Sequence, residues 1–150
     1  MTEATDAGAN PQRPVLAVSA AIIRDGHVLL VRRAQAPAEG LFTLPGGRVE
    51  RGETLHQALA REIREETGLS IEPVALAGTR EVIQRGHGGN VERHFVILAF
   101  AARWLAGEPV LNAELAEARW LRPSEVQGLR TTEGLADIVA AAFEKIEQAD

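Results

Sequence analysis

The chain has 150 residues, of which 45% are hydrophobic and 25% are charged, and it carries a net charge of -5 at pH 7. This length suits one domain with one core, and the composition excludes a disordered or a membrane protein. The acidic balance argues against a general nucleic-acid binder, and the absence of cysteine excludes disulfides and thiolate metal sites.

The amino-terminal segment and the distribution of apolar residues bear on location. Residues 1–14 are polar and lack the charged start and apolar stretch of a secretion signal. We expect a disordered tail there and a single domain over residues 15–150. Because no apolar run approaches the roughly 20 residues of a spanning helix, we predict a cytoplasmic protein that binds neither membranes nor nucleic acid.

The first part of the predicted domain has the sequence patterns of β-strands. Two β-branched and aliphatic segments, 15–23 and 27–32, flank Asp25-Gly26, a dipeptide suited to a tight β-hairpin. A short strand is predicted at 41–44, and Pro45 ends it. Thr54 followed by Gln57 predicts a capping box and a helix that begins at about Leu55.

The rest of the pattern completes the fold class. Gly68 predicts the end of that helix. Residues 71–83 indicate one or two strands, and residues 95–102 indicate a strand buried on both faces, so a second hairpin is expected. A short strand around 119–121, a one-turn helix from Pro123 and an amphipathic helix at 135–147 follow. This order predicts an α+β protein, an α/β/α sandwich with a central mixed β-sheet between helices.

The 55–66 helix carries acidic residues where its apolar side should continue. At about 100° per residue, that side is formed by four residues: Leu55, Ala58, Leu59 and Ile63. Glu62 and Glu66 fall within it, and Glu65 lies beside them. Acids at this end of a helix face the negative end of its dipole, and Glu62 and Glu66 repel each other at i, i+4. Amphipathicity alone does not explain them.

Two interpretations of these carboxylates are open. They form a solvated acidic face paired with Arg61 and Arg64, or they bind a hard divalent cation such as magnesium or manganese. Arg64 falls on the far side of the wheel, and the spacing lets Arg61 meet only Glu65. We favour the metal site, whose open positions suit phosphate oxygens.

Residues 47–69, GRVERGETLHQALAREIREETGL, resemble a complete Nudix box: Gly, five residues, Glu, seven residues, Arg-Glu-aliphatic-x-Glu-Glu-x-Gly-aliphatic. All of its specified positions are filled, namely by Gly47, Glu53, Arg61, Glu62, Ile63, Glu65, Glu66, Gly68 and Leu69. The preceding hairpin and the later strands are also similar to the Nudix hydrolase family, over about residues 15–145. The resemblance implies the Nudix-type sandwich.

The resemblance also implies a site. Mg²⁺, or Mn²⁺, would be held by Glu62, Glu65, Glu66 and the carbonyl of Gly46. Glu53 would join through water or a further ion, and Arg61 would orient the carboxylates. The reaction would be attack of water on a phosphorus of a pyrophosphate.

The general base is less narrowly implied. Glu65 or Glu66 is the first choice for the base. The predicted catalytic residues are therefore Glu53, Arg61, Glu65 and Glu66. Glu114 and Glu117 are outside candidates for a further ligand or base, and solvated surface acids are the alternative.

The substrate signal is weaker. The segments LPGGRVERGETL and RHFVILAF resemble bacterial ADP-ribose pyrophosphatase-like and MutT-like proteins. The best prediction is a small-molecule nucleotide, a nucleoside diphosphate linked to another group, such as ADP-ribose or a related nucleotide sugar. The alternatives are a (d)NTP pyrophosphohydrolase of the MutT type and a non-catalytic ligand-sensing domain. A homodimer is plausible by family likeness.

Several side chains outside the box are candidates for substrate contact, because arginine makes forked bonds to phosphate oxygens. The predicted contacts are Arg32, Arg93, His94 and Glu117, and the wider set adds Arg33, Arg80 and Arg85. The alternative for most of these residues is a solvated surface charge. Phe42 or Trp120 would stack on a base, although packing in the core is the alternative for both.

Overall fold

The structure, a computed structural model, describes residues 13–36 and 38–150. Its strands are β1 (Val15–Arg24), β2 (His27–Arg33), β3 (Phe42–Thr43), β4 (Gly46–Arg48), β5 (Ser70–Arg85), β6 (Val91–Ala106) and β7 (Leu115–Leu121). Its helices are α1 (Leu55–Thr67), α2 (Pro123–Val126) and α3 (Leu135–Ala149). Most of the predicted amino-terminal tail, residues 1–12, lies outside the described residues.

One mixed sheet organises the molecule. Its main strand order is β3-β2-β1-β6-β5, with β4 paired to β1 and β7 paired to β2. Strand β1 runs parallel to β6, and the other pairs are antiparallel. Asp25 and Gly26 adopt positive φ angles of 50° and 76°, so the first hairpin forms at the predicted dipeptide. The central mixed sheet is therefore confirmed.

The sheet is packed on both faces by helices. On one face, Leu59 and Ile63 of α1 pack with Ile22 of β1 in one apolar cluster. On the other face, Val139 of α3 packs with Ile23 of β1 in a second cluster. Adjacent residues of β1 point to opposite faces because side chains alternate along a strand. The α/β/α sandwich is thus confirmed, and burial of both β1 faces holds its layers together.

Helix α1 begins and ends where the local pattern predicts. The Thr54 hydroxyl accepts a hydrogen bond from the Gln57 N–H at 3.1 Å, and the Gln57 side chain accepts one from the Thr54 N–H at 2.9 Å. Gly68 ends the helix in the left-handed region, with φ of 82°. These caps set where the helix starts and stops, and so where its carboxylates stand.

The second hairpin differs from expectation in extent. Strand β5 is one strand of 16 residues with register shifts rather than two strands, and β6 also has 16 residues. Burial on both faces is limited to residues 99–102 of β6, whereas residues 94–98 are half-buried. The prediction for 95–102 was too broad, because an open groove runs over the first half of β6. Among the described residues, no helix is long and apolar enough to cross a membrane.

Candidate active site

The site lies at an open groove of about 1380 Å³ beside the carboxyl-terminal half of α1. Glu62 and Glu66 reach it from α1, and Gly46 and Gly47 form part of its wall from β4. Strands β1, β5 and β6 supply the rest of the floor, and the start of α3 supplies the far side. The groove therefore joins the predicted carboxylates to the exposed part of the sheet.

Arg61 is the centre of the carboxylate cluster. Its guanidinium donates from Nε to Glu53 Oε2 at 2.6 Å and from Nη2 to Glu53 Oε1 at 2.9 Å. Nη1 donates to Glu62 Oε2 and to Glu65 Oε1, both at 3.1 Å, and Nη2 donates to the Arg48 carbonyl at 3.0 Å. The wheel-based prediction that Arg61 meets only Glu65 is wrong, because the long side chain also reaches Glu62 and the loop that carries Glu53.

The contact with Arg61 keeps Glu53 ionised. The hydrogen bonds from Arg61 lower the pKa of Glu53 to about 2, and a hydrogen bond of 2.8 Å from the Glu50 N–H lowers it further. The same contact raises the pKa of Arg61. Glu53 and Arg61 thus form a permanent ion pair that joins the loop before α1 to the middle of the helix.

Glu62 and Glu66 experience the opposite effect. Desolvation by burial raises the pKa of Glu66 to about 7, although the Gly46 N–H donates a hydrogen bond to its carboxylate at 3.2 Å. The negative charges of Glu62 and Glu114 raise it further. Burial also raises the pKa of Glu62, against the lowering contact with Arg61. Ionisation of these two carboxylates places negative charge where solvation is poor, and a bound cation would offset that cost.

Glycine is required where β4 approaches these groups. A Cβ built on Gly47 would lie 2.2 Å from the Glu62 carboxyl carbon, and one on Gly46 would lie 2.1 Å from the Val18 carbonyl oxygen. At Gly46 the clash is with backbone, so no side chain fits there, whereas at Gly47 the Glu62 carboxylate would have to move. The Gly-Gly sequence before the helix therefore lets the backbone pass directly over the carboxylates.

The donor set suits a hard divalent cation. Magnesium binds through one or two carboxylates and keeps its other positions for water and phosphate, and Glu62 and Glu66 are two half-buried carboxylates with unfavourable desolvation. Over residues 13–36 and 38–150, no three acidic or histidine side chains are already gathered as a metal cluster. Glu65 stands apart because its carboxylate is 62% exposed and is turned to Arg61.

The predicted substrate residues separate into two groups. Arg93 and His94 line the groove, and the Nε2 atom of His94 is buried without a hydrogen-bond partner among the described residues. Arg32 and Glu117 are cross-strand neighbours on β2 and β7, and they bind each other at 3.1 Å. Neither lines the groove, and each is the other's ion-pair partner. Their contact with substrate stays a prediction.

The structure also locates the predicted stacking residues and the remaining charged candidates. Phe42 is buried in the core, with the Arg119 guanidinium 5.1 Å from its ring centroid, and Trp120 packs against the α1 side of the sheet. Both therefore take the packing role. Glu114 lines the groove, as do Arg33 and Arg80 from the wider arginine set.

A pair of threonines is among the polar groups of the groove that sequence reasoning missed. The hydroxyls of Thr43 and Thr132 lie 3.2 Å apart and both residues line it. Thr43 is local to the Leu-Pro-Gly-Gly segment, but Thr132 lies in a stretch without periodic pattern. No local signal joins positions separated by 89 residues, so only the folded chain reveals the pair.

The fold and the carboxylate site define one class of protein. A family model for the NUDIX domain matches residues 13–142, and the chain belongs to the Nudix family. An ADP-ribose pyrophosphatase of Methanocaldococcus jannaschii is 36% identical over 71% of this chain, and the match spans 61% of that relative's length.

Solved structures agree with this assignment. A MutT NUDIX hydrolase from Burkholderia pseudomallei is 29% identical, with a TM-score of 0.69 over 89% of this chain and 98% of the other. The NUDIX domain of Shewanella oneidensis NrtR, complexed with ADP ribose, is 25% identical, with a TM-score of 0.68 over 97% and 99% of the two chains. The expected family and fold are confirmed.

Proposed function

We propose that the chain is a pyrophosphohydrolase that needs a divalent metal and cleaves a phosphoanhydride in a nucleoside diphosphate linked to another group. The observation that carries this proposal is the pair of half-buried carboxylates, Glu62 and Glu66, facing a groove large enough for a nucleotide. Mg²⁺ is the proposed ion and Mn²⁺ the alternative, because the donors are hard oxygens.

The residues of the site have separate proposed tasks. Glu62, Glu66, Glu65 and the Gly46 carbonyl would hold the ion, which supplies charge neutralisation at the phosphates and acidifies water. Arg61 and Glu53 position these groups, since the arginine binds both Glu62 and Glu65. Glu65 or Glu66 would accept the proton of the attacking water. Arg93 and His94 are the proposed substrate contacts from β6.

ADP-ribose or a related nucleotide sugar is the proposed substrate. The name of the Methanocaldococcus relative and the ligand of the Shewanella domain support this choice. The likeness to a MutT NUDIX hydrolase favours a second candidate, a (d)NTP pyrophosphohydrolase. The third, a non-catalytic sensor, would bind nucleotide without turnover.

One assay separates these candidates. The chain is incubated with Mg²⁺ and either ADP-ribose or a panel of dNTPs, and the products are resolved as AMP or pyrophosphate. AMP from ADP-ribose supports the proposal, pyrophosphate from dNTPs supports the second candidate, and no turnover on any substrate supports a sensor. Hydrolysis that persists in EDTA would overturn the metal dependence.

A variant pair tests the site itself. The double change Glu65→Gln, Glu66→Gln removes both candidate bases and two proposed ligands, so turnover should fall by about 10³-fold or more. Glu144→Gln is the matched control, because Glu144 is an exposed acid on α3 outside the groove. Equal rates in the double variant and the control would refute the site.

Domain bounds, location and assembly stay predictions. A single domain over residues 15–150 would resist limited proteolysis as one fragment. Cell fractionation tests the cytoplasmic location, and light scattering tests the homodimer.

A further inference from the structure

Arg80 is a groove residue whose charge the described part of the protein leaves without a bonded partner. It lies on β5, is half-buried and lines the groove. Over the described residues its guanidinium makes neither a hydrogen bond nor an ion pair. Glu133, just before α3, acts on it only through its charge, and desolvation lowers the pKa of Arg80. A half-buried guanidinium without a partner is costly, because its donors and its charge have both lost water.

The sheet register places Arg80 at the opposite end of the groove from the carboxylates. Arg80 pairs with Ile97 on β6, Ile97 with Ala17 on β1, and Ala17 with Arg48 on β4. These residues form one row across four adjacent strands, so Arg80 and Arg48 are roughly 14 Å apart at about 4.8 Å per strand. Arg48 directly follows Gly47, whose backbone passes over Glu62.

The floor between the two ends is open enough for a ligand to lie across it. Ala17, Ser19 and Ala99 line this part of the groove with small side chains, and Ile97 adds a larger apolar side chain between Arg80 and Ala17. A nucleoside diphosphate sugar whose phosphates lie beside Glu62 and Glu66 would therefore extend its second sugar, the one remote from the base, along the sheet. Because Arg80 lines the same groove, its long side chain can contact a sugar that lies over this floor.

We propose that Arg80 binds an anionic group, a carboxylate or a phosphate monoester, on the second sugar of the substrate, the one remote from the base. Arg80 thereby selects anionic over neutral nucleoside diphosphate sugars. This inference rests on the proposed function and narrows its substrate class. An anion fits better than the neutral carbonyl edge of a guanine base. The two oxygens of an anion match the guanidinium fork, and their charge also offsets the desolvated cation. Arg80 is a binding and specificity residue, remote from the reacting phosphorus.

The test compares matched substrates that differ only in the anion. Uridine diphosphate glucuronate is set against uridine diphosphate glucose for the carboxylate. ADP-ribose 1″-phosphate, whose monoester is on the ribose remote from adenine, is set against ADP-ribose for the phosphate. For at least one pair, the parent should prefer the anionic member by about tenfold in kcat/KM, the scale of a charge-assisted hydrogen bond. Whichever pair shows the preference identifies the source of the anion.

Three variants show whether Arg80 is responsible. Arg80→Gln should bring the kcat/KM ratio close to one by slowing only the anionic substrate, and Arg80→Lys should retain part of it. Arg85→Gln is the matched control, since Arg85 is an exposed arginine of the same strand, bonded to the Gly89 carbonyl at 2.9 Å and outside the groove. A ratio that Arg80→Gln leaves unchanged would overturn the inference, and so would a preference for guanine over adenine nucleotides with no anion preference.

Binding separates failure of this inference from failure of the proposed function. Calorimetry in EDTA gives Kd for each member of both pairs without turnover, and the same tenfold preference, lost in Arg80→Gln, is expected. If no substrate is hydrolysed but this preference is present, the proposed enzyme is wrong and the role of Arg80 stands. If hydrolysis occurs but neither kcat/KM nor Kd shows the preference, the proposed enzyme stands and the role of Arg80 is wrong. Arg80→Gln should keep the parent's Tm, because the Arg80 guanidinium makes no hydrogen bond or ion pair with the described residues.

Discussion

Arg61 and Glu53 are joined by two parallel hydrogen bonds, Nε to Oε2 at 2.6 Å and Nη2 to Oε1 at 2.9 Å. The fork leaves Nη1 free to bind Glu62 and Glu65 on the same helix. One guanidinium therefore ties the loop before α1 to two proposed metal ligands. Because a lysine ammonium cannot reproduce this planar fork, the arrangement depends on arginine in particular.

Arg61→Lys should weaken metal binding while the fold remains. The lysine retains the charge but loses the fork, so Glu62 and Glu65 are no longer held in place, and Mg²⁺ affinity should fall by about 10–100-fold. The measurement is the Mg²⁺ concentration for half-maximal turnover, with circular dichroism to confirm the fold. Arg64→Lys is the control, since Arg64 is exposed on the same helix. Unchanged metal affinity in Arg61→Lys would show that the fork has no positioning role.

Gly47→Ala should impair the site through one methyl group. The added Cβ would lie 2.2–2.6 Å from carboxyl atoms of Glu62, so that side chain or the β4 backbone must move. We expect at least about a tenfold loss in apparent Mg²⁺ affinity, as for other displaced ligands. Gly128→Ala is the comparison, because its Cβ would meet only the Glu125 carbonyl at 3.9 Å. Similar Mg²⁺ titrations for the two variants would contradict the close approach.

Glu66 predicts a pH dependence of the metal-free protein. Its pKa is raised from 4.5 to about 7 in the folded state, so the folded chain binds the extra proton between these values. The resulting stabilisation is complete below pH 4.5 and is lost as pH rises to about 7. Relative to Glu66→Gln, the free energy of unfolding in EDTA should fall by on the order of 2–3 kcal/mol over this range.

Urea unfolding of the parent and of Glu66→Gln at pH 5 and pH 8 measures this difference. Added Mg²⁺ should stabilise the parent more at pH 8 than at pH 5, because metal and proton compete for the carboxylate. If the difference between the two proteins stays constant with pH, the buried carboxyl does not titrate as described.

Thr54→Ala should lower stability without changing the chemistry. It removes the hydroxyl that accepts from the Gln57 N–H at 3.1 Å, at a cost of about 1 kcal/mol. For a domain of this size the Tm should fall by roughly 2–4 °C. Turnover at 25 °C should stay at the parent's level, because the carboxylates lie on the later turns of α1. Thr54→Ser, which keeps the hydroxyl, should restore the Tm; a large loss of kcat in Thr54→Ala would show that the cap also shapes the site.

The elements that were predicted correctly depend on nearby residues. The hairpin at Asp25-Gly26, the capping box at Thr54 and the stop at Gly68 each involve residues a few positions apart. Turn geometry and capping bonds act over that distance, so the local sequence contains the needed information. For the same reason, the sequence predicted that the carboxylates of α1 lie on one side of the helix.

The contacts that local patterns did not reveal depend on how the whole chain folds. Arg32 meets Glu117 across 85 residues, and this pairing follows from the register of β2 with β7. The reach of Arg61 to Glu53 likewise depends on how the preceding loop folds back onto the helix. No periodicity records such contacts, because strand register and loop path are set by packing of the whole core.

The sequence by itself determined the family, the α/β/α class and the helix whose acidic residues interrupt its apolar side. All three depend on patterns among residues that are close together in the chain. Only the tertiary structure decided which charged groups share the groove and which pair with one another. It also decided that Arg80, across the groove from the carboxylates, bonds to none of the described residues. The physical reason is that bonds within a turn or a helix link neighbours in sequence, whereas a groove is assembled from strands brought together by burial of their apolar faces.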